Sequence, residues 1–330
     1  MSRLALTLGC WNYDRVQALA DGSVRPDGID LNFLSMPVEE TFFRMLRHRE
    51  FDVAEMSLSS YTVTRHRDPP PFVAIPVFPS RFFRHSSIFV STQSDIREPK
   101  ALIGKRVGCP EYQMTAPVWI RGILQDRYGV PVDGVTYVTG GEETPGRSEK
   151  VKLDLPSGIR VERIGPNDTL AQMLADGRID ALYTARTPST FRAQPERVRR
   201  LFPDFIDVER DYFRRTGIFP IMHTVAIKRE VYEAHRWIAQ SLTKAFFEAQ
   251  RQIYEGLRET AALKVMLPWL VAHVDELVRD MGEDFWPYGF ARNRATLDTF
   301  LRYHHEQGLS KRKLQPEELF APETLESFVI

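Results

Sequence analysis

Three observations predict a discontinuous two-lobed α/β protein with two interlobe crossovers and a helical C-terminal section. First, a helix–strand unit occurs twice at an offset of 128 residues. Glu40-Thr41-Phe42-Phe43-Arg44-Met45-Leu46 parallels Asp168-Thr169-Leu170-Ala171-Gln172-Met173-Leu174. Each is followed by an apolar–Asp–apolar step, Phe51-Asp52-Val53-Ala54 and Ile179-Asp180-Ala181-Leu182, that reads as a buried strand. Second, two strand-like runs, Phe72–Val77 and Ser87–Val90, flank Phe78–His85, a stretch suited to crossing from lobe to lobe. Third, the chain turns strongly helical after Gly217–His223, where Leu242, Phe246, Ala249 and Ile253 fall on one helical stripe. The expected division is residues 1–86 plus 223–330 as lobe I and 87–222 as lobe II.

The remaining elements follow in order. Leu4–Leu8 and Ile29–Phe33 read as strands, with Arg25-Pro26-Asp27-Gly28 as an intervening turn. Lys105–Cys109 is a strand leading through Pro110-Glu111-Tyr112-Gln113-Met114 into a helix. Thr115 is its expected N-cap, Pro117 lies in its first turn, and Trp119, Ile120, Ile123 and Leu124 supply its apolar face. Residues 141–163 carry Gly, Glu and Pro, then alternate at Val151/Leu153/Leu155 and Ile159/Val161, which predicts a loop and a hairpin. Gly177 is a helix stop for the second repeat. Ligands of open α/β folds sit beyond the carboxyl ends of strands, so a cleft between the lobes is the expected site.

Composition narrows the function. The 330 residues are 43% hydrophobic and 27% charged, an ordinary globular balance. Lys+Arg and Asp+Glu both number 44, giving zero formal charge and a pI near 7.1. With no global basic field, neither nucleic acid nor a membrane is an expected partner. Cys10 and Cys109 make one bridge at most, which excludes a disulfide or Cys-rich zinc framework. Leu4–Cys10 is too short and polar-interrupted for a signal segment, so the expected location is cytoplasmic. Neither a P-loop nor a dinucleotide fingerprint is present.

Several blocks resemble the 4,5-dihydroxyphthalate decarboxylase family: Phe51–Tyr61, Ile75-Pro76-Val77-Phe78-Pro79-Ser80-Arg81-Phe82-Phe83-Arg84-His85-Ser86, and Gly104–Gly108 running into Pro110–Ala116. Thr216–His223, Met266-Leu267-Pro268-Trp269 and Trp286-Pro287-Tyr288-Gly289 are similar to the same family, so the resemblance spans nearly the whole chain. It implies a fold like the type II periplasmic binding proteins. It also implies non-oxidative decarboxylation of a dihydroxylated aromatic dicarboxylate in phthalate degradation.

That chemistry requires cationic clamps for carboxylates, a base near the ring hydroxyls and an acid over the ring carbon. No redox cofactor is required, and no close His/Asp/Glu spacing points to a metal. Arg81 and Arg84 suit the clamps because a guanidinium meets a carboxylate through paired hydrogen bonds. On an extended crossover they would point to opposite faces, so one of them pairing with an acid is an equal expectation. His85 is the expected acid/base, with His223 on the return crossing as its counterpart. Glu55, ending a buried strand, needs a partner or a catalytic role, either as base or as ion-pair partner of an arginine. Ser57 and Ser60 either bind a carboxylate or cap the next helix. Tyr112 and Thr115 precede a helix N-terminus that favours an anion, Arg186 ends the matching strand of the second lobe, and Trp11 could stack on an aromatic ligand. Each of these has a packing role as its alternative. The expected partner is a small aromatic carboxylate, and self-association into a homo-oligomer is left open. Two other functions remain: a solute-binding protein for an aromatic carboxylate, and a decarboxylase of the same scaffold acting on another ring acid.

Overall fold

The computed structural model describes residues 3–326. Its strands are, in chain order, β1 Leu4–Cys10, β2 Ile29–Ser35, β3 Val53–Ser57, β4 Phe72–Ile75, β5 Ile88–Ser91, β6 Arg106–Cys109, β7 Thr136–Thr139, β8 Arg160–Arg163, β9 Ala181–Tyr183, β10 Val198–Arg200 and β11 His223–Lys228. The chain forms two compact units. Of the described residues, the first holds 3–81, 221–297 and 315–326, the second 82–220 and 298–314.

The first unit is built on a five-stranded sheet of order β2-β1-β3-β11-β4. β1 runs parallel to β2 and β3, while β11 is antiparallel to both β3 and β4. Alternation in β1 buries Leu6, Leu8 and Cys10 on one face. Helix Val38–His48 covers that sheet with Phe42, Met45 and Leu46, and ends on Arg49 in the left-handed region.

The second unit carries a six-stranded sheet of order β10-β5-β9-β6-β7-β8. Without the edge strand β8, this is the wiring of the first sheet. β6 is parallel to β7 and β9, and β5 is antiparallel to β9 and β10. The repeat seen in the sequence is therefore real. Helix Leu170–Ala175 and β9 match helix Val38–His48 and β3, and Gly177 turns the chain at φ +71°. The correspondence extends to a detail of packing. A Cβ on Gly9 would meet the Phe51 ring at 3.0 Å, and one on Gly108 would meet Ile179 Cδ1 at 2.7 Å. Phe51 and Ile179 are themselves 128 residues apart. In each unit a glycine on one strand makes room for the apolar residue that leads into the neighbouring parallel strand.

Three expectations need correction, and the condition set on the crossover is not met. Residues 298–314 join the second unit rather than lobe I, and the unit boundaries fall at Arg81/Phe82 and Pro220/Ile221. Residues 141–163 form no hairpin: β8 pairs in parallel with β7, and the alternating stretch before it belongs to no strand. That loop is instead held by ions, with buried Glu111 accepting from Arg147 Nε at 2.8 Å and pairing with Lys150. The N-cap of helix Thr115–Tyr128 is Met114, which leaves Thr115 as the first helical residue. The crossover is not fully extended, because Arg84 turns at ψ −3° into a single 3-10 turn, His85–Ser87.

Candidate active site

The first unit gathers polar groups at the carboxyl ends of β1 and β3. β3 is buried at all five positions, so Glu55 needs internal partners. The register supplies one. Val225 of β11 pairs with Glu55, and His223, two residues away on the same face, becomes its diagonal neighbour. Nδ1 of His223 lies 2.6 Å from Glu55 Oε1, and its ring meets Phe42 edge-on at 4.8 Å. β1 ends beside the same carboxylate, where the Trp11 N–H donates to Oε2 at 3.0 Å and the Cys10 thiol lies 3.6 Å from it. Tyr13 follows in the next turn, and its hydroxyl donates to Oε1 at 2.6 Å.

These donors set the charge. Burial alone would raise the Glu55 carboxyl, but the charge and hydrogen bond of His223, with the bonds from Tyr13 and Trp11, hold it below the ordinary range. Burial, and then the same carboxylate, push the Tyr13 phenol and Cys10 thiol upward, so both stay protonated. A carboxylate can only accept, which places the Nδ1 hydrogen on His223 and turns Nε2 to proton exchange. The imidazole side chain is 16% exposed, whereas Glu55 is fully buried. Glu55 is therefore placed to hold the orientation of the His223 ring.

Ser57 and Ser60 lie in the same unit. Ser57 pairs with His223 across the strands, and its Oγ caps helix Leu58–Thr64 by accepting the Ser60 N–H, as the capping alternative has it. Trp11 is 42% exposed beside the carboxylate that its N–H meets. Arg81 is buried, donates through Nη2 to Pro287 O at 2.7 Å and also to Asn293 Oδ1, and is lowered to about 9 by burial. Its guanidinium is committed to holding its own unit together.

The second unit holds the other candidates. His85 is buried among Tyr128, Phe202 and Tyr212, with ring centroids 5.2–5.9 Å away. Among the described residues neither ring nitrogen has a hydrogen-bond partner, and burial, aided by Arg127, lowers it to about 4. At neutral pH the imidazole is therefore uncharged, with a single N–H. Arg84 is also lowered to about 9 by burial, lies over the Phe82 ring and approaches Ser87 Oγ and Ala185 O at 3.4 and 3.5 Å. Tyr112 is a packing residue: its hydroxyl donates to Gln307 O at 3.0 Å and its ring lies under Arg121. Thr115 is buried, while Arg186 is exposed just after β9, with its N–H on Thr184 Oγ1.

Among the described residues no group of three or more His, Cys, Asp or Glu is placed to hold a metal ion. No helix of the described residues is long and apolar enough to cross a membrane. The sequence marks Tyr13 only as part of Trp11-Asn12-Tyr13, the segment just beyond the first strand and expected to face the cleft, and assigns it no role of its own.

No family model matches the chain. A 4,5-dihydroxyphthalate decarboxylase of Comamonas testosteroni is 43% identical over 330 residues, covering the whole of both chains. A second, from Pseudomonas putida, is 42% identical over 214 residues, 65% of this chain and 83% of that relative. Among solved structures, the periplasmic sulfonate-binding protein SsuA of Methylobacillus flagellatus matches with a TM-score of 0.56 at 13% identity, covering 98% of this chain and 94% of that one. That likeness shows the periplasmic-binding-protein fold.

Proposed function

The chain belongs to the 4,5-dihydroxyphthalate decarboxylase family, and we propose that it is a carboxy-lyase that releases CO2 from 4,5-dihydroxyphthalate in aromatic-acid breakdown, with His223 as its proton donor. Direct loss of CO2 from an arene would leave a carbanion whose lone pair lies in the ring plane and gains no resonance. The accessible route protonates the ring carbon first. A hydroxyl para to that carbon, once its proton has passed to water, which returns it to the phenolate at the end, pushes its electron pair through the ring as Nε2–H of protonated His223 delivers a proton to the carbon. The carbon becomes tetrahedral, and the bond to the carboxylate breaks. Its electron pair restores the aromatic ring and the phenolate as CO2 departs. His223 then regains a proton from water. The balance is one proton in and one CO2 out, with no electron transferred, so the reading includes no cofactor.

The observation that carries the assignment to His223 is its 2.6 Å contact with ionised Glu55. The carboxylate fixes the ring and its Nδ1–H tautomer, as an orienting acid does in other histidine-dependent sites. A cytoplasmic location is part of the same reading.

The test is CO2 release from 4,5-dihydroxyphthalate by the purified chain without added cofactor, with the monocarboxylate catechol acid as product. Tight calorimetric binding with no CO2 formed would instead favour a binding protein. Turnover of a different ring acid from a panel of aromatic carboxylates would replace the substrate while keeping the chemistry.

A further inference from the structure

The proton machinery of the first unit needs a cation to hold a dianionic ring beside it, and of the three expected arginines, Arg81, Arg84 and Arg186, only Arg81 lies in this unit. Arg81 is spent on Pro287 and Asn293, and Arg84 belongs to the second unit. Arg15, which the sequence reading did not single out, is placed differently. It lies in the single turn Asp14–Val16 that follows β1, with its guanidinium carbon 4.2 Å from the centre of the Tyr13 ring and 4.3 Å from that of Trp286. Both rings are themselves fixed, Tyr13 by its bond to Glu55 and Trp286 by donating Nε1–H to Phe78 O at 2.9 Å. Among the described residues the hydrogen bonds of the guanidinium use Nε, to Pro79 O at 2.6 Å, and Nη1, to Asp14 Oδ1 at 2.9 Å. Five N–H groups are available, so both hydrogens of Nη2 and one of Nη1 remain for a ligand. The side chain keeps 16% of its surface exposed.

We propose that Arg15 is the anchor for the carboxylate that the ring retains, and so a specificity-determining residue of the reaction. The inference rests on the decarboxylase reading. A cation held over two fixed aromatic rings is a pre-organised receptor for a carboxylate. Tyr13 links it to the proton donor, since the ring under Arg15 carries the hydroxyl that meets the carboxylate orienting His223.

Which carboxylate it takes follows from the charge change. The departing group goes from anion to neutral CO2, so a strong grip on it weakens towards the transition state and opposes catalysis. The retained group stays anionic throughout. Holding that one fixes the ring without raising the barrier, and the binding is shared by substrate, transition state and product.

The test compares wild type with Arg15→Gln and Arg15→Lys in steady-state turnover and in inhibition by the monocarboxylate product. Loss of a charge-assisted hydrogen bond is expected to raise KM and the product inhibition constant together, each by about 10–100-fold in the glutamine variant, with a smaller effect on kcat and partial recovery in the lysine variant. Two results overturn the proposal: an unchanged KM, or a raised KM with unchanged product inhibition, which would put Arg15 on the departing carboxylate. Because Arg15 also packs two rings, the lysine variant keeps the test valid if the glutamine variant folds poorly. Should wild type release no CO2, the decarboxylase reading fails on its own. Calorimetry of the dicarboxylate with wild type and Arg15→Gln then still reads the anchor: an about 10–100-fold weaker binding to the variant keeps it, and equal binding overturns it.

Discussion

Glu55 and His223 belong to adjacent antiparallel strands, and the one-step diagonal between them brings Oε1 within 2.6 Å of Nδ1. The contact is a consequence of sheet register, so it does not depend on a mobile loop. A shift of β11 by one residue would turn His223 to the opposite face of the sheet.

Replacing Glu55 separates orientation from simple packing. Glu55→Gln keeps the shape but can present an amide N–H to Nδ1, which reverses the tautomer at Nε2. The expected result is a kcat lowered by about 100-fold, with little change in KM. Glu55→Leu should also destabilise the fold by about 2–4 kcal/mol, because Tyr13, Trp11 and His223 lose their acceptor. Acid unfolding adds a check of sign. The Glu55 carboxyl is lowered in the folded protein, so its contribution is complete above the ordinary carboxylate range and is lost as pH falls through the lowered value. The stability difference between wild type and Glu55→Gln should shrink as pH falls in that direction, measured by urea midpoints.

His85 makes a second pH prediction of the same sign. Its value falls from the ordinary 6.5 to about 4 on folding, so the unfolded chain binds its proton more readily. The folded state therefore loses up to about 3 kcal/mol as pH drops from above 6.5 towards 4. His85→Phe removes the titration and fits an aromatic cage that offers no hydrogen bond. It should melt higher than wild type at pH 5, with the gap closing by pH 8. A gap that is the same at both pH values would contradict the buried, neutral imidazole.

The glycine pair tests the repeat. Gly108→Ala places a methyl 2.7 Å from Ile179 Cδ1 and 3.0 Å from Leu182 Cδ1, inside a closed core. A loss of about 1–3 kcal/mol is expected in denaturant melts. Gly158→Ala meets nothing within 4 Å and serves as the neutral comparison.

Much of the fold could be read from residues alone, because periodic burial is local information. The repeated helix–strand unit, the strands at Leu4 and Ile29 and the buried stripe on helix Ile238–Leu257 all follow from apolar spacing. The hairpin expected around Val151 failed for an instructive reason. Burial does alternate from Val151 to Leu155, but no strand pairs with it, and alternation alone does not specify a partner. The site was legible where a residue type conflicted with its surroundings. A carboxylate in the buried strand Val53–Ser57 demanded a partner, and His223 on a crossing was a fair candidate. Tyr13 and Arg15 act through space from a turn, and nothing in their own spacing marks them. His85 and Arg84 drew attention by chemical type, yet hydropathy does not reveal that distant Tyr128, Phe202 and Tyr212 close around the imidazole.

The most direct measurement is the rate of CO2 release by His223→Ala, with folding verified by its melting curve. Removal of the proton donor should lower kcat by about 100–10,000-fold while binding of the ring acid persists. A folded variant that decarboxylates within a few-fold of wild type would contradict the assignment of the proton to His223.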